Sequence, residues 1–173
     1  MVPLIKSKRL LIHVSVFLLS CLLFPVFEAA SAQSEEKIAI GAVEEVMLLP
    51  WRVKIPARID TGATTSSLDA RELTTKDNMA SFKLPAQYGG IELQLPIVSW
   101  KNIRSADARE RRPVVELDIC LGSRLVRALV NLNDRSRMKY PLIIGRNVLK
   151  ENFIIDCEQE RCTTPSCPGI PVK

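Results

Sequence analysis

Histidine is nearly missing from this chain. The single one, His13, lies in an apolar N-terminal stretch, so the remainder of the 173 residues carries none. That excludes Ser and Cys triads that rely on an imidazole base, and HExxH metal sites. No GxSxG elbow and no GxxxxGK[ST] phosphate loop is present either. Aromatic residues make up only 5% of the chain. Helical periodicity is scarce, and no internal repeat is visible. A hydrolase built from this sequence has to work with carboxylates, and no cofactor signature accompanies them.

The N-terminus reads as a targeting segment. Lys6, Lys8 and Arg9 precede an almost wholly apolar run from Leu10 to Phe27, and Ala30-Ser31-Ala32 supplies a small-x-small cleavage site. Residues 1–32 are therefore expected to be a signal peptide, and the protein to be exported to the periplasm or envelope of a bacterium. An uncleaved anchor, or a lipid on Cys21, is the one way this chain would hold a membrane. Removing 32 of 173 residues leaves 141. It also removes three basic residues and Glu28, taking the net charge from +5 to +3. That excess is mild. The basic clusters Arg109, Arg111, Arg112 and Arg135, Arg137, Lys139 are read as solvated faces, with no nucleic-acid partner.

Four cysteines remain after cleavage: Cys120, Cys157, Cys162 and Cys167. In an exported chain an even number suggests two disulfides, with three possible pairings and at least one bridge stapling the C-terminal tail. The spacing of the last three lacks the close C-x-x-C pair of a structural zinc site, so no metal is assigned.

Gln33 to Lys37 reads as a loose segment. Residues 38–157 read as one domain, and 158–173 as a Cys- and Pro-rich tail without regular structure. Short β-branched and apolar runs broken by Pro, Gly and Asp predict strands at Ala42–Leu49, Val53–Asp60, Ser81–Leu84, Ile91–Ser99, Val114–Leu121, Arg124–Leu132 and Leu142–Ile144. Gly122-Ser123 is the expected turn of a hairpin. Two short helices are predicted, at Ser67–Leu73 and Asn147–Asn152. The fold class is all-β, a barrel or sandwich of one domain.

Two motifs carry chemistry. Ile59-Asp60-Thr61-Gly62-Ala63 places a carboxylate where a strand ends and a tight loop begins. Gly62 removes the side chain where backbone must come close, Thr61 offers a hydroxyl to a symmetric copy, and Ala63 is small enough to line a cleft. Downstream, Ile143-Ile144-Gly145-Arg146-Asn147 follows. In this order, with β-rich sequence between, the two motifs resemble the retropepsins, the single-domain aspartic proteases of retroviruses. The chain is more closely similar to a bacterial retropepsin-like group often labelled ATP-dependent zinc proteases. The features shared with that group are Ala57 to Ala63, Arg112-Pro113-Val114-Val115, and Asp134 to Pro141 leading into Ile144-Gly145-Arg146. The sequence itself offers no ATP loop and no zinc ligand set.

The resemblance implies a closed or partly open β-barrel of the acid-protease type with one or two short helices. It implies catalysis by Asp60 with Thr61 and Gly62, a substrate cleft bordered by Ala63, Ile144 and Gly145, and structural support from Arg146 and Asn147. With one Asp-Thr-Gly per chain, a two-fold homodimer must bring two Asp60 carboxylates together. Carboxylates about 3 Å apart share one proton, the ionised member activating water and the protonated one polarising the scissile carbonyl of a protein or peptide substrate. A flap is implied as well, best placed at Val98 to Val114 with its tip at Ser105, Ala106, Asp107, Ala108, Arg109 and Glu110; the Tyr88-Gly89-Gly90 turn is the rival. In the retroviral enzymes the matching arginine pairs with an acidic residue just after Asp-Thr-Gly-Ala. Thr64 and Thr65 stand there, so Arg146 must find another partner. Asp69, Asp134 and Asp156 lack the Thr-Gly context and read as structural.

Overall fold

A computed structural model describes residues 36–104 and 109–168. Twelve strands run through them: β1 (Ile38–Gly41), β2 (Val43–Leu49), β3 (Val53–Ile59), β4 (Ser66–Asp69), β5 (Arg71–Lys76), β6 (Met79–Lys83), β7 (Glu92–Pro96), β8 (Ser99–Arg104), β9 (Arg109–Leu121), β10 (Arg124–Asn133), β11 (Leu142–Ile144) and β12 (Phe153–Asp156). One helix, α1 (Arg146–Asn152), and a 3-10 turn at Ala86–Tyr88 complete the described elements.

Six strands close on themselves in the order β10-β4-β11-β3-β2-β9, with β9 returning to β10. Closure leaves no unpaired edge within the ring. Alternation builds the core: in β3, Ile55, Ala57 and Ile59 point inward and are buried, while Lys54 and Arg58 face solvent. Ile40, Val46, Leu48, Leu68, Val115, Ile119, Val130, Leu132, Leu142 and Ile144 join them. A three-stranded sheet, β5-β6-β7, packs Ala80, Phe82, Leu84 and Leu93 into the same core. The β9–β10 hairpin turns at Gly122-Ser123 as expected, pairing Leu121 with Arg124, and Gly122 takes a left-handed φ of 56°.

The helix expected at Ser67–Leu73 is not formed. Ser66–Asp69 is a strand whose four residues are all buried, wedged between β10 and β11, and Arg71 starts the next strand. Its hydroxyls read as helix-compatible, but Ser67 Oγ donates to Asn131 Oδ1 at 2.9 Å on the neighbouring strand. β1 and β12 were also not foreseen. Both are too short to show a period and exist by pairing in parallel, Ile38 with Phe153 through Gly41 with Asp156.

A strap from Cys157 to Pro168, without strand or helix, covers one side of the barrel. Glu44, fully buried on β2, holds it: its carboxylate accepts Gly41 N (2.6 Å), Cys162 N (3.1 Å), and Thr163 N and Oγ1 (3.0 Å each). A buried carboxylate is tolerable only with such a set of donors. Cys120 and Cys167 form a disulfide that fixes the end of the strap. The expected second bridge is absent: Cys157 and Cys162 are free and exposed. Partial desolvation and the neighbouring Glu44 carboxylate push the Cys162 thiol up from its ordinary value.

Candidate active site

Parallel pairing creates the site. β11 runs parallel to β3, Leu142 beside Ala57 and Ile144 beside Ile59. Two parallel neighbours end at the same place, so the loop after Ile59 and the loop after Ile144 emerge side by side. Asp60 N donates to Ile144 O at 2.9 Å, joining them at the first residue.

The Asp60 loop then curls back on its own carboxylate. Oδ1 accepts Gly62 N and Ala63 N, each at 3.0 Å. The carboxylate is thereby oriented through one oxygen, and Oδ2 has no hydrogen bond among the described residues. Asp60 is half-buried, and Thr61 and Gly62 are exposed beside it. A methyl group added at Gly62 would lie 3.2 Å from that same Oδ1.

The second loop grips the first. Gly145 sits where a Cβ would meet Thr65 C at 2.7 Å, Thr65 O at 2.9 Å and Ala63 O at 3.0 Å. Its φ of −94° suits any residue, so close approach alone requires the glycine. Arg146 N donates to Ala63 O (2.9 Å) and Asn147 N to Thr64 O (3.3 Å). Arg146 finds its partners within the loop: Nη1 donates to Thr61 O (2.8 Å) and Gly62 O (2.9 Å), Nη2 to Thr64 Oγ1 (3.2 Å). The guanidinium fork thus binds backbone carbonyls where an acidic side chain was missing. Asn147 Oδ1 accepts Ser66 N and Oγ, its Nδ2 donates to Leu129 O, and Gly145 N donates to Ser66 Oγ at 3.1 Å.

The expected cleft residues divide. Ala63 keeps surface, whereas Ile144 is fully buried and Gly145 is buried, so these two shape the loops from within. The inward alternation of β11 puts Ile144 in the core. Of the flap assignments, β8 and β9 form the expected hairpin, Ser99 opposite Val114 through Arg104 opposite Arg109. Ser105, Ala106, Asp107 and Ala108 lie outside the described residues. Tyr88-Gly89-Gly90 instead ends the 3-10 turn between β6 and β7.

The carboxylates set aside as structural have partners. Asp69 is buried and accepts Arg71 Nη2 and Arg135 N, both at 2.8 Å. Asp134 accepts Ser136 N, which holds its carboxyl below the ordinary value, and Asp156 accepts Glu158 N and Gln159 Nε2. Arg112 and Arg135 are less solvated than expected. Arg112 is bound to Glu110 at 2.8 and 2.6 Å with its side chain 18% exposed. Burial pushes the half-buried Arg135 guanidinium down from its ordinary value; Asp69 opposes this, Arg112 adds to it, and Asp60 and Arg58 act more weakly. Sequence reasoning missed Ser66 and Lys101, whose Nζ donates to Thr65 Oγ1 at 2.5 Å. Each acts through partners distant in sequence, and neither stands in a recognisable motif.

A closed β-barrel in which an Asp-Thr-Gly loop is clamped by a Gly-Arg-Asn loop defines an aspartic-protease-like, retropepsin-type fold. The family described as RimB-like, retropepsin-like aspartic endopeptidase RimB, matches residues 39–165, and the chain belongs to that family. Among curated proteins it is 28% identical over 139 residues to the "Probable alpha-L-glutamate ligase" of Shewanella pealeana, and 27% identical over 139 residues to that of Shewanella halifaxensis. Each match takes in 75% of this chain, which spans only 30% of the length of these relatives. Among solved structures, a Legionella pneumophila protein of unknown function (DUF785) superposes with a TM-score of 0.65. It is 28% identical, and the match covers 75% of this chain and all of that one.

Proposed function

We propose that this chain is an aspartic endopeptidase that acts as a homodimer. The observation that carries the reading is the Asp60 carboxylate, fixed through Oδ1 by two backbone N–H groups, with Oδ2 left unbonded among the described residues. One chain supplies one such carboxylate. A second copy related by a two-fold axis completes a dyad that shares a proton. Its ionised member takes a proton from the attacking water, and its protonated member hydrogen-bonds the carbonyl oxygen and then passes a proton to the leaving nitrogen. Family membership supports this chemistry. The disulfide supports export to an oxidising compartment such as the periplasm.

Peptides containing glutamate runs are the first substrates to test. The matched relatives are named for glutamate ligation, and Arg135 is within electrostatic reach of Asp60. Asp60→Asn keeps both backbone hydrogen bonds possible, so it is expected to fold normally and to lose hydrolysis by at least about 10³-fold, given that loss of a catalytic group of this kind removes several kcal/mol of transition-state stabilisation. Undiminished hydrolysis in that variant refutes the assignment. A second reading, a peptide-binding module without hydrolysis, is favoured by the match to proteins named as ligases. Wild-type protein that binds peptide as a monomer and cleaves none would select it.

A further inference from the structure

The distal part of the β8–β9 hairpin lies outside the closed ring of strands. β9 pairs with β10 only from Val114 to Leu121, whereas Arg109 to Pro113 pair with β8 alone. An ion pair lies within the β9 arm, and a ring contact links that arm to β8. Arg112 binds Glu110, and Arg111 lies over the Trp100 ring at 4.6 Å. Alternation sets two faces: Trp100, Asn102 and Arg111 are exposed, and Lys101, Ile103 and Arg112 are half-buried on the other side. Lys101 leaves the hairpin. Its ammonium donates to Thr65 Oγ1, 36 residues away, at 2.5 Å.

The two ends of this bond are unequal in rigidity. Thr65 is the residue whose backbone C and O crowd Gly145, at the join of the Asp60 and Gly145 loops. Lys101 stands opposite Arg112 in register, and Glu110 neutralises that second cation. With Arg112 paired to Glu110, the Lys101 ammonium turns instead to the Thr65 hydroxyl.

We infer that Lys101 is a positioning residue, its ammonium tying the β8 arm of the hairpin to Thr65 and so fixing the wall of the site beside the Asp60 loop. The inference rests on the peptidase reading for its kinetic consequence but not for its structural one. A single charge-assisted hydrogen bond is strong enough to bias the arm and weak enough to release it when substrate enters.

The test measures amide exchange and kinetics in Lys101→Met, Lys101→Arg and Thr65→Val, with the β10 amides as internal reference for folding. Lys101→Met keeps the aliphatic stem, and Thr65→Val keeps the shape without the hydroxyl. Exchange at residues 99–103 is expected to accelerate about tenfold in Lys101→Met and in Thr65→Val, the double variant being no faster than either, for a bond of about 1.4 kcal/mol. Lys101→Arg should restore slow exchange. With a cleaved peptide, KM should rise about three- to tenfold in Lys101→Met with kcat within about twofold, as expected when binding rather than chemistry is weakened. Unchanged exchange in Lys101→Met overturns the inference even if peptide is cleaved. Accelerated exchange in a protein that cleaves nothing upholds the tie and removes the peptidase reading instead.

Discussion

Replacing Gly145 by alanine probes the joint between the two loops. The new Cβ would stand 2.7 Å from Thr65 C, 2.9 Å from Thr65 O and 3.0 Å from Ala63 O, all of them backbone atoms. Real Cβ atoms essentially never come within 3.0 Å of such atoms, and contacts below 3.4 Å are tight, so the loops must part by several tenths of an ångström. Several hydrogen bonds span that gap, among them Arg146 N to Ala63 O, Asn147 N to Thr64 O, Gly145 N to Ser66 Oγ and Ser66 N to Asn147 Oδ1. Overpacking of this kind costs about 1–3 kcal/mol, and weakening several hydrogen bonds worth about 1 kcal/mol each adds to it. Against this, the backbone at φ −94° accepts alanine without strain, so the stiffer unfolded chain returns about 0.4–1 kcal/mol. The net expectation is a destabilisation of about 2–3 kcal/mol, because the clash is with backbone that three strands hold in place. Urea unfolding with the disulfide intact measures it, the midpoint shift multiplied by an unchanged slope giving the difference. Gly62→Ala is the control. Its Cβ meets only the Asp60 carboxylate at 3.2 Å, so a loss below about 1 kcal/mol is expected. If Gly145→Ala is as stable as the wild type, the close approach of the two loops is not what selects glycine there, and the reasoning fails.

Arg146→Ala removes three bonds to the Asp60 loop but from an exposed guanidinium, so stability should fall by only about 1 kcal/mol while peptide hydrolysis falls about 10- to 100-fold through loss of positioning. Equal losses in folding and activity would show that the arginine merely stabilises. Replacing Cys120 and Cys167 together by alanine opens a loop of 47 residues in sequence separation, which the chain-entropy account values at about 4 kcal/mol; a calorimetric midpoint unchanged by the double substitution contradicts the strap's role. The Arg127 hydrogen bond, with its charge, holds the Asp118 carboxyl below the ordinary 3.8, the two residues facing each other across β9 and β10. A depressed carboxyl stabilises the fold above its unfolded value and loses that contribution as pH falls through the folded one. Asp118→Asn should therefore cost about 0.2–1 kcal/mol at neutral pH and nothing once the pH is well below 3.8, which parallel urea titrations would reveal.

Local patterning carried much of the barrel. β2, β3, β9, β10 and β11 announce themselves because alternation and β-branched runs are properties of a few consecutive residues. The turn at Gly122-Ser123 and the helix after Gly145 are legible for the same reason. Ser66–Asp69 misled because two serines and an aspartate suit a helix start as well as a strand, and only its neighbours β10 and β11 decide between them. β8 was expected only as an arm of the flap hairpin, because a strand that stands away from the core has no reason to alternate sharply. The cysteines give a parity but not a pairing, since distance between thiols is set by the fold; one bridge formed and Cys157 and Cys162 stayed apart from it.

The Asp-Thr-Gly and Gly-Arg-Asn motifs, and the lack of any histidine beyond His13, were decided by the sequence alone, because which side chains exist bounds which chemistry can occur. The tertiary structure decided what joins them. Parallel pairing of β3 with β11 brings Asp60 beside Gly145 across 85 positions of chain, and it gives Arg146 the carbonyls of Thr61 and Gly62 in place of an acidic side chain. Such partners are set by where strands end in space. No local pattern of residues records that.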